Sequence, residues 1–100
     1  MNAAPVAEVD ADLADLIPQY LSHRWADLGL GRELLANAEY ERLARMAHRI
    51  YGTAASYGFA GLGDVVRDLE AAAQRGDQEA INTALERYDA FLRSVRIEYV

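Results

Sequence analysis

From Leu13 to Tyr99 the apolar residues of this chain recur at steps of three and four, the spacing that places side chains on one face of a helix. No segment shows the two-residue alternation of a strand, so the chain is expected to be all-α. Leu13, Leu16, Ile17, Tyr20, Leu21 and Leu28 make the first stripe, and Pro18 interrupts it. Proline is tolerated in a first turn but not in mid-helix, which predicts a short helix ending near Ile17 and a second starting at Pro18. Gly29 and Gly31 should weaken that second helix toward its end. Asn37 is a good cap for the next, whose face is marked by Tyr40, Leu43, Ala47, Ile50, Ala54 and Tyr57 and which Gly58 closes. Phe59, Leu62, Val66, Leu69 and Ala73 run on to Arg75-Gly76-Asp77, where Gly76 stops one helix and Asp77 caps another. Ile81, Leu85, Tyr88, Leu92, Val95 and Tyr99 form the last stripe, the seam of an antiparallel bundle.

The expected architecture is an up-down antiparallel four-helix bundle over residues 12–100, with a short extra N-terminal helix and a flexible N-terminus over residues 1–11. Nineteen alanines and twelve leucines against two prolines support helix throughout. With 52% hydrophobic residues in a chain of 100, one core buries roughly two-thirds of the unfolded surface, and neither a disulfide nor a structural metal is needed.

Composition removes several functions. There is no cysteine, hence no disulfide framework, thiolate nucleophile or cysteine zinc site, and a reducing, cytoplasmic location is the expectation. Sixteen acidic residues against ten basic ones give a net charge of −6, which opposes a nucleic-acid partner. The basic residues are all arginine, scattered from Arg24 to Arg96 without a polybasic run, and no stretch of about 18 apolar residues occurs, so neither membrane attachment nor secretion is expected. With two histidines and no Glu-x-x-His or His-x-x-x-His spacing, no metal site is expected. No Walker-type loop and no Gly-x-Ser-x-Gly elbow is present, which argues against an enzyme that binds its own nucleotide.

The informative stretch surrounds His48. On a helix of about 100° per residue, His48 points about 140° away from the stripe Leu43 to Tyr57 and should face solvent. Gly52 lies on the same side at about 180°, with Ala44 and Ala55 at about 100° and 120°. A lone exposed histidine is usually just solvated, but a mid-helix glycine costs about 1 kcal/mol against alanine and asks for a reason. Small residues around an exposed histidine let another protein approach it closely. On the following helix Glu70 sits about 60° from the core direction, with Arg67 and Gly63 on the same flank, so its carboxylate can reach across. Taken alone, Glu70 reads as an ordinary boundary carboxylate. Accepting a hydrogen bond from His48 Nδ1–H, it would leave Nε2 as a free lone pair.

The run Ala47-His48-Arg49-Ile50-Tyr51-Gly52-Thr53-Ala54-Ala55-Ser56-Tyr57-Gly58-Phe59, followed by Leu62, Leu69 and Glu70, resembles the histidine-containing phosphotransfer (HPt) domain. The match includes His-x-x-x-Gly, a second glycine ten residues after the histidine, a leucine four later and a closing Leu-Glu pair. Leu16-Ile17-Pro18-Gln19-Tyr20-Leu21, with Arg24 and Asp27, is similar to the first helices of free-standing members, so the resemblance covers roughly residues 13–95. It implies a four-helix bundle that acts as a phosphoryl carrier rather than a catalyst, with His48 as the phosphoacceptor and Glu70 orienting its ring. Where the family usually has lysine, three residues after the histidine, this chain has Tyr51. A phenol can donate a hydrogen bond to the phosphoryl group, and Arg49 or Arg67 is the candidate source of positive charge.

By the same resemblance the usual partner is a response-regulator receiver domain, which brings its own aspartate and Mg²⁺, so no cofactor is expected on this chain. A hybrid histidine kinase is a second partner it allows, and free-standing members are usually monomers. Because the net charge does not favour an acidic receiver, Arg45 and Arg49 should guide docking, with Ala44 and Ala55 giving room for contact. The competing reading is a helical adaptor that keeps the docking face without phosphotransfer; Tyr51 is its main support.

Overall fold

The computed structural model describes residues 4–100. The chain forms strand β1 (Val6–Val9), a 3-10 helix (Ala11–Leu16), helices α1 (Ile17–Ala36), α2 (Tyr40–Ala54), α3 (Ala60–Arg75) and α4 (Gln78–Ser94), and strand β2 (Arg96–Tyr99). Each helix packs on the next, and α1 also packs on α4, which closes the bundle. Neighbours run in opposite directions. His48 faces Glu70 while Ala54 faces Gly63, and Asp27 pairs with Arg49 while Gly31 meets Met46.

The expected seams form the core. Leu43, Ala47, Ile50 and Ala54 of α2, Leu62, Val66 and Leu69 of α3, and Ile81, Leu85 and Tyr88 of α4 are all buried. Phe59 closes one end, its ring stacked on Tyr20 at 5.2 Å and edge-on to Phe91 at 6.4 Å. The buried Tyr88 hydroxyl donates to the Arg24 carbonyl at 2.7 Å, tying α4 to α1. Burial, then the nearby Asp27 charge, pushes that phenol above its ordinary range. On the outside of the same pair of helices Asp89 accepts from Arg32 at 2.9 Å and Arg93 at 2.6 Å, and these two hydrogen bonds hold its carboxyl below the usual range.

Several boundaries differ from expectation. The two terminal segments are strands, paired in parallel with Val6 opposite Arg96 and Val9 opposite Tyr99. The expectation of no strand is therefore corrected, and so is that of a loose N-terminus over the described part of residues 1–11; Met1, Asn2 and Ala3 lie outside the described residues. Ala7 and Val9 are fully buried, and that burial is what fixes the strand. The last helix stops at Ser94, so Tyr99 is exposed rather than part of the seam. The short N-terminal helix is a 3-10 helix, with the Asp10 carboxylate accepting from Asp12 N–H at 2.9 Å. Leu16 is exposed, although the stripe included it.

Asn37 caps the C-terminus of α1, not the N-terminus of α2, and the chain turns at Ala38 with a φ of 54°. α1 runs through Gly29 and Gly31 without stopping. A Cβ on Gly31 would lie 3.1 Å from both Leu85 and Met46, so this glycine sets how closely α1 approaches α2 and α4. Gly58, at a φ of 89°, and Gly76, at a φ of 64°, make the left-handed turns expected of them. Asp77 caps α4 as expected, accepting from Ala80 N–H at 3.0 Å.

Candidate functional site

α2 presents two faces of unequal chemistry. Its buried side carries Leu43, Ala47 and Ile50, which turns His48 out to solvent with its side chain 73% exposed. Small residues meet where α3 packs on α2: Gly63 faces Ala54 and Tyr51, and a Cβ there would sit in ordinary van der Waals contact with them at 3.8 and 3.9 Å. This close packing brings Glu70 to the histidine. His48 Nδ1 lies 3.1 Å from Glu70 Oε2 and 3.4 Å from Oε1, and the carboxylate is only 23% exposed.

A carboxylate only accepts, so the contact places a proton on Nδ1, and in the neutral imidazole the lone pair is then on Nε2. That tautomer turns the nucleophilic nitrogen toward solvent on an exposed side chain. The carboxylate also stabilises positive charge on the ring if Nε2 forms a bond.

A groove of about 960 Å³ starts at this pair and runs between α2 and α3 toward Tyr40 and Gly76. Ala44, Arg45, His48, Arg49 and Glu70 line it, as the sequence reading grouped them, while Tyr51, Gly52, Ala55 and Arg67 lie outside it. Ala44 is 9% exposed, so the expectation that it forms exposed docking surface is corrected: it is groove floor, because α3 covers a wider arc of α2 than the stripe suggested. Tyr40, Glu41, Ala73, Gln74, Arg75 and Gly76 complete the groove, and the sequence reading missed them as site residues. Ala73, one turn of α3 beyond Glu70 on the same flank, was the available signal.

Gly52 stands in open space, with nothing within 4 Å of a Cβ built on it, and Ala55 is exposed beyond it. Tyr51 is exposed. Neither expected docking arginine is free. Arg45 pairs with Glu41 at 3.2 Å, and Arg49 reaches Asp27 of α1 at 3.2 Å, an acceptor shared with Arg24 at 3.0 Å. Arg67 is exposed and makes no ion pair or side-chain hydrogen bond among the described residues.

The family model described as Hpt domain matches residues 6–97. The chain belongs to the Hpt domain family. Hpt domains serve histidine phosphotransfer in phosphorelay signalling, as helical phosphocarrier modules that meet receiver domains and kinases. The matched span also takes in all of β1 and the first half of β2. Comparison with curated proteins and with solved structures gives no match. Among the described residues no helix is long and apolar enough to cross a membrane.

Proposed function

We propose that His48 is the phosphoacceptor of this Hpt domain and exchanges a phosphoryl group with the aspartate of a response-regulator receiver. The observation that supports this best is the exposed imidazole whose Nδ1 is held by Glu70, with Nε2 left open to solvent. Nε2 attacks the phosphorus of the aspartyl phosphate in line, so the N–P bond forms as the O–P bond to the aspartate breaks. The receiver regains a carboxylate, and the phosphorylated ring, still protonated at Nδ1, carries positive charge against Glu70. The reverse step charges another receiver. Little covalent chemistry falls to this chain, so positioning and electrostatics do most of the work.

Mg²⁺ for the step belongs to the receiver, and no cofactor is assigned to this chain. Arg67 is the candidate to supply the charge that Tyr51 lacks, since among the described residues no carboxylate pairs with its guanidinium. A hybrid kinase is a second source of the phosphoryl group, and the cytoplasm is the location these partners require.

The test is incubation with a phosphorylated receiver. Acid-labile, base-stable label should appear on the wild type and on His23→Gln, and be absent from His48→Gln, which should melt like the wild type. Label that persists without His48 and vanishes without His23 overturns the assignment.

A further inference from the structure

We infer that β2 is a self-association edge, through which two copies of this chain pair their β2 strands antiparallel with Ile97 opposite Ile97. The first ground is the direction of the backbone groups. Arg96 N–H donates to the Pro5 carbonyl and Val100 N–H to the Val9 carbonyl, each at 2.9 Å, in a parallel ladder with β1. Successive residues of a strand alternate, so Arg96, Glu98 and Val100 direct their backbone groups to β1, and Ile97 and Tyr99 aim theirs away from it. Among the described residues neither outward N–H has a backbone partner. No element other than β1 makes more than marginal contact with β2. The far side of β1 is closed instead, because Gly58 lies so near that a Cβ there would overlap the Glu8 carbonyl.

The second ground is charge, and it selects the occupant. Within one chain Glu98 stands directly opposite Glu8, both exposed, while Arg96 faces Val6 and makes no ion pair among the described residues. Like charges placed opposite each other are destabilising. Centring an antiparallel pair on Ile97 sets Arg96 of each copy against Glu98 of the other, which places a cation on the free side of each glutamate. These fall at the non-hydrogen-bonded positions, where side chains are closest. Ile97 then bonds Ile97 and Tyr99 N–H meets the Val95 carbonyl, using the groups that point outward. Tyr99, 49% exposed, lies beside a β-branched neighbour in Val95. A shift by one residue would set Ile97 against Glu98 and lose every one of these pairings.

The product is a four-stranded sheet in the order β1-β2-β2-β1. A strand edge of this length buries little area, so the dimer is weak and concentration-dependent. This departs from the monomer expected of free-standing family members. It does not depend on phosphotransfer, and His48→Gln should associate as the wild type does.

Sedimentation velocity on the 100-residue chain, from micromolar to millimolar, tests the inference. The wild type should show a monomer–dimer equilibrium. Arg96→Glu and Glu98→Arg should each weaken it about tenfold or more, because both copies of a cross-strand pair become repulsive. The double variant carrying both changes should return to within about threefold of the wild type. Both positions are exposed, so all four proteins should share one melting curve to within a few degrees. Amide exchange should show Ile97 and Tyr99 becoming more protected as concentration rises. A wild type that stays monomeric, a dimer indifferent to the single reversals, or a double variant that is not rescued overturns the inference.

Discussion

Replacing Gly52 by glutamine separates a glycine kept for a partner from one kept for packing. Nothing lies within 4 Å of a Cβ built at Gly52, so the new side chain enters solvent and costs no overlap. The helix acquires a better former than glycine, worth up to about 1 kcal/mol in a helix interior. α2 ends at Ala54, so the position lies in its last turn and about half of that, roughly 0.5 kcal/mol, is expected. For a domain of this size the melting temperature should rise by about 2–4 °C.

Phosphotransfer should move the other way. The glutamine rises one turn beyond His48 on the face proposed to meet a receiver, and forcing extra volume into a packed contact costs about 1–3 kcal/mol. Transfer from a phosphorylated receiver should therefore fall about tenfold to hundredfold at subsaturating receiver. Thermal melting and label transfer are to be read on the same sample. A lower melting temperature would mean that Gly52 packs inside the molecule, and unchanged transfer would mean that no partner approaches this face.

Glu70→Ala should slow transfer by about tenfold to hundredfold, the worth of a hydrogen bond to a charged group, and Glu70→Gln by less, since its carbonyl still accepts from Nδ1–H. Equal rates in a single-turnover assay would make Glu70 a bystander. Tyr51→Lys should raise the rate or the lifetime of the phosphorylated form by about two- to fivefold, the worth of one exposed charge pair; a slower variant would give the phenol a role of its own. Gly58→Ala should cost about 1–3 kcal/mol, read as a lower melting temperature, because its φ of 89° and the neighbouring Glu8 carbonyl leave no room for a side chain.

The helices were legible because their seams persist over many turns, and the His48–Glu70 contact because its placement needs only two helix phases and antiparallel neighbours. What failed was local. In Val-Ala-Glu-Val the burial alternates but the residue types do not, because Val6 is apolar and exposed, and its partner Arg-Ile-Glu-Tyr continued a helical stripe. Their pairing joins segments ninety residues apart in sequence, where tertiary burial of Ala7 and Val9 decides. Asn37 is chemically suited to either end of a helix, so its identity could not say which helix it served. Gly31 looked like a breaker because a sequence does not show Leu85 and Met46 closing on it.

The same limit governs the arginines, and it changes which one matters at the site. Arg49 and Arg67 were equal candidates for the positive charge in the sequence, but Asp27 arrives from α1 and holds the Arg49 guanidinium at 3.2 Å. Arg45 is held by Glu41 one turn away. The Arg45–Glu41 pair is exposed and worth at most about 1 kcal/mol, while Asp27 is largely buried beside Arg24; the energy of whichever pair an incoming partner breaks is subtracted from the energy of docking. Arg67 carries no such penalty. It sits on α3 between Glu70, which is level with His48, and Gly63, which is level with Tyr51 and Ala54. On the proposed function, a cation supplied by Arg67 from α3, instead of from the turn after the histidine, would offset the absence of lysine at Tyr51.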